Sequence, residues 1–332
     1  MTRAEIDDLI LTLDQPKLIE THISWLLLSG EYAYKIKKPV KFSFLDFSTI
    51  EKREFFCHRE VTLNRRLTHD IYLDVVPVCR ENDMPVLENY TIPAIDFAVK
   101  MRRMDETRYM PTLLEKQLVS TTHIEQIAKK LAGFHRCADR IPAPPDLARW
   151  LAQFQDIRQI SDFLDGEMES QPGETIEQAI QAAEIWIPRL ADRIKERYHR
   201  GFYIDGHGDL HSGNIFLLEE PVFFDCIEFN DEFRQLDILD EMAFFCLDLD
   251  YYRQSKLAEH FLACYQQHYP CRVTEDDNRL FQLFLCYRAN VKLKVQTLKA
   301  MQATTSTDRA HRLSRARRYH ELLIKYTQQL NQ

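Results

Sequence analysis

Short apolar runs separated by turn residues dominate the first hundred residues, which indicates strands rather than long helices. Residues 21–28 are largely apolar and end at Ser29-Gly30-Glu31, a sequence typical of a turn. Residues 32–38 then alternate, with Tyr32, Tyr34 and Ile36 separated by smaller or charged residues, before Pro39. This pattern predicts a β-hairpin whose second strand carries two lysines on one side.

One amphipathic helix interrupts this strand-rich part. Ser48 is a possible N-cap, and residues 49–67 have the charged, amphipathic pattern of a surface helix. Two further strands are predicted at residues 72–79 and 94–101, joined by a polar stretch that contains Pro85 and Pro93.

From about residue 104 the apolar period changes from two to 3.6, which is the period of a helix. Residues 124–137 show it clearly, and residues 176–198 continue it with a kink or break expected at Pro188. Residues 236–267 and 276–329 are predicted to be mostly helix. The fold class is therefore α+β, with a small β-rich N-terminal lobe at residues 1–103 and a large helical C-terminal lobe at residues 104–332.

Charge and composition narrow the possible partners. Among 332 residues, 51 are acidic and 43 are Lys or Arg, giving a net charge of −8, which argues against a nucleic-acid partner. The six-residue apolar run 23–28 is far shorter than the roughly 20 residues that span a bilayer, so no membrane partner is expected. The four acidic residues among residues 1–14 are unlike a signal or transit peptide.

The eight cysteines lie among apolar residues and form no C-x-x-C pair, so we expect buried, reduced thiols and a cytoplasmic protein. The pattern does not indicate an oligomeric state.

The stretch 203–217 concentrates residues that carry chemistry: two His, two Asp, one Asn and three of the eight glycines. Two apolar segments, 215–218 and 222–224, are predicted to pair as a hairpin. That hairpin would bring Asp225 beside Asn214, with Asp209 one loop away. Three oxygen-bearing side chains of this kind suit Mg²⁺, which prefers oxygen ligands and keeps several waters.

The five-residue separation of Asp209 and Asn214 matches the kinase catalytic loop, H-R-D-x-x-x-x-N. The run His207-Gly-Asp209-Leu-His-Ser-Gly-Asn214, followed by Asp225, resembles the aminoglycoside phosphotransferase and choline kinase group of protein-kinase-like enzymes. A bacterial aminoglycoside phosphotransferase-like subgroup is the closer likeness, through residues 34–39, 44–48 and 225–229. The resemblance covers residues from about 15 to about 300 and implies a two-lobed protein-kinase-like fold.

The resemblance also implies roles for individual residues. Asp209 would be the catalytic base, and Asn214 and Asp225 would hold Mg²⁺. Lys35 would contact the phosphates of ATP and pair with Glu60; Lys37 and Glu54 are the alternatives. A hinge at residues 100–104 would hold the adenine, so Met101 and Met104 are assigned to nucleotide binding. The implied activity is ATP- and Mg²⁺-dependent phosphoryl transfer to a hydroxyl of a small-molecule acceptor.

Departures from protein kinases favour a small-molecule kinase. No G-x-G-x-x-G precedes Lys35, Gly208 replaces the Arg of H-R-D, and Cys226-Ile227 follows Asp225 in place of Phe-Gly. Only eleven residues separate Asp225 from Asp237, too few for a long activation loop.

Several alternatives stay open. Residues 203–217 could be a polar loop with chance spacing, and His207, Asp209 and His211 could ligate zinc or iron in a metallohydrolase. A nucleotide-binding pseudokinase or regulatory module, and a kinase-fold enzyme that transfers AMP to a protein, are further functional hypotheses.

Other charged residues have open roles. Glu228 is either a carboxylate that supports the metal site or a surface residue, and Asp237 and Glu241 are candidates for bracing the catalytic loop. Basic residues Arg288, Lys292 and Lys294 would argue against cationic aminoglycosides if their helix borders the acceptor.

Overall fold

Two compact units make up the chain in the computed structural model, which describes residues 1–42, 44–68 and 70–332. The first unit comprises residues 1–113, 207–209 and 213–234, and the second comprises residues 114–206, 210–212 and 235–332. The compact units divide the chain at several points and not at a single one. The boundary between two lobes at residues 103 and 104 therefore stays a prediction. The hairpin segment of the candidate site lies within the first unit.

A six-stranded antiparallel sheet is the centre of the first unit, with the strand order β1-β2-β3-β8-β6-β7. The strands of this unit are β1 (Lys17–Glu20), β2 (Ser24–Ser29), β3 (Tyr32–Lys37), β4 (Lys41–Phe42), β5 (Leu45–Asp46), β6 (Tyr72–Glu81), β7 (Met84–Leu87), β8 (Ala94–Arg102), β10 (Ile215–Leu217) and β11 (Pro221–Phe223). Its helices are α1 (Arg3–Leu11) and α2 (Ile50–Asn64), and α2 packs against β6 and β8.

The hairpin predicted from residues 21–28 and 32–38 forms as β2 and β3, and β2 begins at Ser24. Residues 21–23 form the turn between β1 and β2, because the Thr21 hydroxyl accepts a 3.0 Å hydrogen bond from the Ser24 amide. Strand β1 and helix α1 were not predicted. Helix α1 is closed at its start by a capping box in which Thr2 and Glu5 bond to each other's backbone amides.

Helix α2 begins one residue later than predicted. Thr49 is its N-cap and accepts from the Lys52 amide, whereas the Ser48 hydroxyl donates to Asp46 instead. The buried face of α2 includes Cys57, Glu60 and Asn64. Two polar side chains on this face signal that α2 supports more than apolar packing, since buried polar groups require partners.

The second unit is mainly helical. Its elements are α4 (Thr121–Cys137), α5 (Leu147–Gln155), α6 (Ser161–Glu167), α7 (Pro172–Arg189), α8 (Ala191–His199), α9 (Ile238–Tyr251), α10 (Ser255–His268), α11 (Glu275–Met301), α12 (Ser306–Leu330) and the short paired strands β9 (Tyr203–Asp205) and β12 (Gln235–Asp237); α3 (Met110–Glu115) crosses the division between the units.

The break expected at Pro188 is present, since α7 ends at Arg189 and α8 begins at Ala191. Residues 236–267 and 276–329 are mostly helix, as predicted, and each segment contains two helices. Arg253 adopts a left-handed backbone conformation that ends α9, and Thr305 caps the start of α12. Within the described ranges of the chain, no helix combines the length and the apolar character that crossing a membrane requires.

Buried ion pairs tie the helices of the second unit together. The Arg197 guanidinium, which is fully buried, donates to Asp237 at 2.7 Å and to Asp277 at 2.8 Å. Burial acts to raise the pKa of Asp277, but hydrogen bonds from Arg193 and from backbone amides outweigh it and hold the pKa below its usual value. Asp237, a candidate for bracing the catalytic loop, is therefore engaged with α8.

Candidate active site

The predicted hairpin forms and brings Asp225 next to Asn214 in the chain's fold. Strands β10 and β11 pair antiparallel, with Ile215 opposite Phe223. The pairing ends with a 3.1 Å bond from the Phe224 amide to the Asn214 carbonyl. Asp225 directly follows Phe224, so the hairpin fixes the position at which the Asp225 backbone leaves the strand pair.

Asn214 and Asp209 are joined directly. The Asn214 amide nitrogen donates to the Asp209 carbonyl at 2.9 Å and to the Asp209 carboxylate at 3.3 Å. Because the nitrogen end of the amide is held in this way, Oδ1 is the Asn214 atom suited to a cation. The loop thus fixes the orientation of two of the predicted side chains relative to each other.

His207 organises the backbone of the same loop. Its Nε2 lies 2.9 Å from the Phe224 carbonyl, and its Nδ1 accepts from the Asp209 amide at 3.3 Å. Both ring nitrogens are therefore engaged with backbone groups, in the pattern of a ring protonated on Nε2. This arrangement disfavours the metallohydrolase hypothesis, in which His207 would be a metal ligand.

Asp225 has a backbone conformation that few residues other than glycine adopt. Its φ is +62°, in the left-handed region. Two side chains from the first hundred residues hold the bend: the Asp225 amide donates to the Tyr72 hydroxyl at 3.0 Å, and the Cys226 amide donates to the Asn64 side chain at 2.9 Å. Neither Tyr72 nor Asn64 was predicted from the sequence.

Lys35 and Glu60 are brought together, as the resemblance implies. Lys35 Nζ lies 2.7 Å from the Glu60 carboxylate and 2.5 Å from the Asp225 carboxylate. Lys37, the alternative lysine, lies on the same side of β3; it also bonds to Glu60 at 2.7 Å and pairs with Glu228. Glu60 is therefore the acidic partner of both lysines, and Glu54 has no part in these pairs.

The two lysines differ in exposure. The Lys35 side chain is 15% exposed and reaches Asp225, which is 46% exposed, whereas the Lys37 side chain is 1% exposed. Glu228 is buried and pairs with Lys37, so the alternative that Glu228 is a surface residue is excluded. Lys35 is thus the lysine that lies beside the accessible carboxylate of the site.

The pKa values of this cluster follow from burial and from the alternation of charges. Burial opposes the charge on Lys35, but Asp225 and Glu60 outweigh it and raise the Lys35 pKa well above its ordinary value. Burial also opposes ionisation of Glu60, yet the two lysines lower the Glu60 pKa to about 2. At Glu228 burial prevails over the attraction of Lys37, and the pKa is raised.

Gly208 is a position where only glycine fits. Its φ is +86°, and a Cβ at this position would lie 2.7 Å from the carbonyl oxygen of Phe233. The residue that replaces the Arg of the protein-kinase loop therefore allows the chain after Asp225 to pass close to the catalytic loop.

A buried apolar cluster adjoins these charged groups in the first unit. Met101 is buried opposite Ala33 in the pairing of β3 with β8, in a cluster that includes Leu28 and Phe216, and Met104 packs against this cluster. Met104 also lines an open cavity of about 460 Å³ with Tyr32 and residues 102–103. The structure thus places the two predicted nucleotide-binding methionines on one apolar cluster.

In the second unit, the loop is braced by a residue that the sequence did not indicate. The Ser212 amide donates to the buried Asp248 carboxylate of α9 at 2.8 Å. A carboxylate oxygen of Glu241, one of the two predicted bracing residues, lies 2.8 Å from Nε2 of buried His135, and Glu241 lies against Gly206. Asp248 is one of four acidic residues of α9, with Asp240, Glu241 and Asp250, and nothing in the local sequence identifies which of them bonds to the loop.

The basic residues of α11 have acidic partners in the same unit. The Arg288 guanidinium donates to both oxygens of Asp240 at 2.6 and 2.7 Å, and Lys294 pairs with Asp156. Lys292 lies over the ring of Phe244, at 4.6 Å from its centroid. Two of the three cations are therefore paired with carboxylates, and the expectation that they bear on the choice of acceptor stays a prediction.

Comparisons with known proteins place this geometry in context. No protein-family model matches the chain. The uncharacterized protein Rv2004c of Mycobacterium tuberculosis is 32% identical over 295 residues, as is the uncharacterized protein Mb2027c of Mycobacterium bovis. Each match covers 85% of this chain and 55% of the relative, so the chain spans about half the length of the curated relatives it matches.

Solved structures with a similar fold include proteins named as small-molecule kinases. The choline kinase of Cryptosporidium parvum is 13% identical, with a TM-score of 0.54, covering 95% of this chain and 91% of that one. A thermostable mutant of the aminoglycoside phosphotransferase APH(4)-Ia is 11% identical, with a TM-score of 0.52 and coverage of 96% and 98%. The GDP complex of aminoglycoside 2'-phosphotransferase-IIIa is 11% identical, with a TM-score of 0.50 and coverage of 97% and 99%.

The predicted fold class is thereby confirmed at the level of the fold. The first unit is β-rich and contains the pairs Lys35–Glu60 and Asp209–Asn214, the second unit is helical, and the similar structures extend over nearly the whole chain. The chain has the protein-kinase-like α+β fold of the aminoglycoside phosphotransferases and choline kinases.

Proposed function

We propose that this chain transfers a phosphoryl group from ATP to a hydroxyl group of a small molecule, with Mg²⁺ as the cofactor. The observation that carries the proposal is the charge chain of the first unit, in which Glu60 holds Lys35 and Lys35 reaches the half-exposed Asp225. Asp225 in turn follows the hairpin that starts at Asn214. A lysine, its acidic partner and oxygen ligands are the parts that phosphoryl transfer needs.

The donor set fits a magnesium ion. Asp225 supplies a carboxylate and Asn214 an amide oxygen, and Mg²⁺ takes one or two protein oxygens and completes its shell with water and phosphate. Bound Mg²⁺ would neutralise charge that develops on the transferring phosphoryl group. The Tyr72 and Asn64 hydrogen bonds hold the backbone at Asp225 in place before the nucleotide binds. Less conformational entropy is then lost when the Asp225 carboxylate binds the metal ion.

Asp209 is proposed to act as the base. The acceptor hydroxyl oxygen would attack the γ-phosphorus, its proton would pass to the Asp209 carboxylate, and the nucleoside diphosphate would leave. Asn214 and His207 hold the side chain and backbone of Asp209, which limits the geometries from which it accepts the proton. Lys35 would contact the phosphates while Glu60 keeps it oriented.

The apolar cluster around Met101 and Met104 is proposed to contact the nucleotide base. Apolar walls with a few fixed polar groups are typical of nucleotide sites. One structure of similar fold is a GDP complex, so ATP and GTP should both be assayed. The acidic net charge of −8 supports a small-molecule acceptor over nucleic acid or a membrane, and we propose a cytoplasmic location.

The test is a phosphoryl-transfer assay with ATP or GTP, Mg²⁺ and a panel of hydroxyl acceptors that includes choline, ethanolamine and aminoglycosides. We expect Asp209→Asn to lower kcat by about 10²–10⁴, because a positioned base contributes on this order. Asp225→Asn should lower it by about 10²–10³, as removal of other groups that stabilise transition-state charge does. An Asp209→Asn variant as active as the parent would reject the base assignment.

A nucleotide-binding module without transfer is the second candidate. The observation that favours it is the β1–β2 turn, where Thr21 closes a tight turn in place of a glycine-rich loop. Calorimetry with Mg²⁺ and ATP separates the two candidates. Binding that requires Asp225, together with no transfer to any acceptor in the panel, would favour the module.

A further inference from the structure

We propose that Glu125, His260 and Cys264 form a binding site for a zinc-class divalent cation on the second unit. Among residues 1–42, 44–68 and 70–332, these three are the one grouping of His, Cys, Asp or Glu ligand atoms in which all atoms lie within 4.8 Å of one another. They come from two neighbouring helices, α4 and α10, and none of them belongs to the proposed phosphotransfer site.

Helix geometry brings two of the donors together. His260 and Cys264 are four residues apart on α10, so they lie on the same face, one turn apart. The His260 Nε2 atom lies 3.6 Å from the Cys264 sulfur. A tetrahedral zinc ion with Zn–N of about 2.0–2.1 Å and Zn–S of about 2.3 Å places these atoms about 3.6 Å apart. The observed spacing therefore suits zinc before any movement of α10.

The third donor comes from α4. The Glu125 Oε1 atom lies 3.0 Å from the His260 Nε2 atom, about 0.4 Å short of the separation of two zinc ligands, and the three ligand atoms all lie within 4.8 Å of one another. Its side chain is 54% exposed and that of His260 is 33% exposed, which leaves both room to adjust and a path for the ion. Cys264 is buried beneath them.

The two helices are fixed relative to each other near the donors. His135 of α4 bonds to the Tyr265 hydroxyl of α10 at 2.7 Å, and Tyr265 directly follows Cys264. Ligands carried on packed helices are held closer to their binding geometry than ligands on loops. A mixed sulfur, nitrogen and oxygen set favours Zn²⁺ over Mg²⁺, and three protein ligands leave the fourth position to water.

Protonation sets the conditions for binding. Burial, with a smaller effect of the Glu125 carboxylate, raises the pKa of the Cys264 thiol. Zinc binds the thiolate, so binding must release a proton and must strengthen as the pH rises. The ion would also neutralise part of the charge of Glu125.

The experiment measures Zn²⁺ binding by isothermal titration calorimetry to the whole chain, with millimolar Mg²⁺ present to occupy the oxygen-rich site. We expect one Zn²⁺ per chain, and at least about a tenfold loss of affinity in Cys264→Ser and in His260→Gln. Glu125→Gln should weaken binding less, because an amide oxygen is a poorer ligand than a carboxylate. Cys137→Ser, which removes the exposed thiol at the end of α4, is the matched control and should bind as the parent does.

Two readouts guard against misfolding and against zinc bound elsewhere. Co²⁺ should give a thiolate-to-cobalt charge-transfer absorption in the parent, in Cys137→Ser and in Asp225→Asn, and not in Cys264→Ser. Glu125→Gln is a change at an exposed position, so its melting curve without metal should equal that of the parent. Zinc binding of equal affinity in the parent and Cys264→Ser, or no thiolate-to-cobalt band, would overturn the proposal. The phosphotransfer assay does not depend on this outcome.

Discussion

Lys35 and Lys37 share Glu60 but have different surroundings, and these surroundings separate their roles. Alternate residues of a strand lie on one face, so both ammonium groups point toward α2. Lys35 ends beside the half-exposed Asp225. Lys37 ends between Glu60 and the buried Glu228, with the ring of Phe47 4.8 Å from its ammonium group. One lysine serves the accessible site, and the other neutralises two buried carboxylates.

Substitution of each lysine by methionine should therefore have different effects. We expect Lys37→Met to reduce the free energy of unfolding by about 3–5 kcal/mol, because it leaves Glu60 and Glu228 buried without their common cation. Lys35→Met should reduce it less, since Lys37 still pairs with Glu60 and Asp225 has access to water. Phosphoryl transfer should fall by about 10²–10³ in Lys35→Met, as for other groups that stabilise charge on phosphate.

Urea unfolding followed by circular dichroism, combined with the transfer assay, measures both effects. Lys41→Met is the matched control, because the Lys41 side chain is 72% exposed. Equal stability losses for the Lys35 and Lys37 variants would contradict the assignment of separate roles.

Glu60 has a pKa of about 2, so its contribution to stability is present above its ordinary pKa and is lost only as the pH falls toward 2. An acidic limb near pH 5 or 6 in the activity profile therefore belongs to another group.

At the scale of single elements, α12 carries a buried histidine, His320, from which we expect a loss of stability in acid. His320 is 3% exposed, and its Nε2 atom has no hydrogen-bond partner in the described part of the chain. Burial lowers its pKa, although the carboxylates of Glu321 and Asp165 act in the opposite direction. The unfolded chain takes up a proton near pH 6.5, whereas the folded chain resists it.

The stability supplied by a neutral His320 is present above pH 6.5 and is lost as the pH falls through the lowered pKa. We expect His320→Leu to flatten the decrease in unfolding free energy between pH 7 and 5, by at most about 1.4 kcal/mol per pH unit for one proton. His311→Leu, at an exposed position of the same helix, should leave the slope unchanged. Identical slopes for the parent and His320→Leu in urea titrations would contradict the prediction.

The elements that the sequence predicts correctly are those whose apolar period is uninterrupted. The strands around Tyr34 and the helix at residues 124–137 are of this kind, and the hairpin after Asn214 was predicted within a residue of its observed ends. The sequence pattern does not show where a side chain ends an element without changing the apolar period. The Thr21 turn, the left-handed Arg253 and the Thr305 cap each act in this way.

The candidate site shows the same division. Asp209, Asn214 and Asp225 are close in sequence, so their spacing and the hairpin predicted the proximity of Asp209 to Asn214 and the backbone position of Asp225. The choice of Lys35 and Glu60 required the family resemblance, because no local pattern joins a strand lysine to a helix glutamate 25 residues later. Tyr72 and Asn64 bond to backbone amides more than 150 residues away. Almost every residue has a backbone amide, so no residue type in the sequence marks these partners.

For the molecule as a whole, both units contain buried cysteines, so one thiol-labelling experiment can report the unfolding of each unit. None of the eight cysteines is in a disulfide, and Cys137 is the exposed one. The buried cysteines are Cys57, Cys79 and Cys226 of the first unit and Cys246, Cys264, Cys271 and Cys286 of the second unit. Burial raises the pKa of Cys57, Cys271 and Cys286 to about 12, so their reactive thiolate forms are rare at neutral pH.

An aromatic disulfide reagent should therefore react quickly with one thiol of the folded protein, and Cys137→Ser should remove this fast phase. The remaining thiols should react only when the unit that contains them unfolds, because access and thiolate formation both require exposure. Pulse labelling at increasing urea concentration, with mass spectrometry of the modified peptides, assigns each reaction to a cysteine. We expect the three thiols of the first unit to become reactive together and the four of the second unit to do likewise. Fast labelling of Cys57 or Cys271 in the absence of urea would show that the cores described for the two units are open in solution.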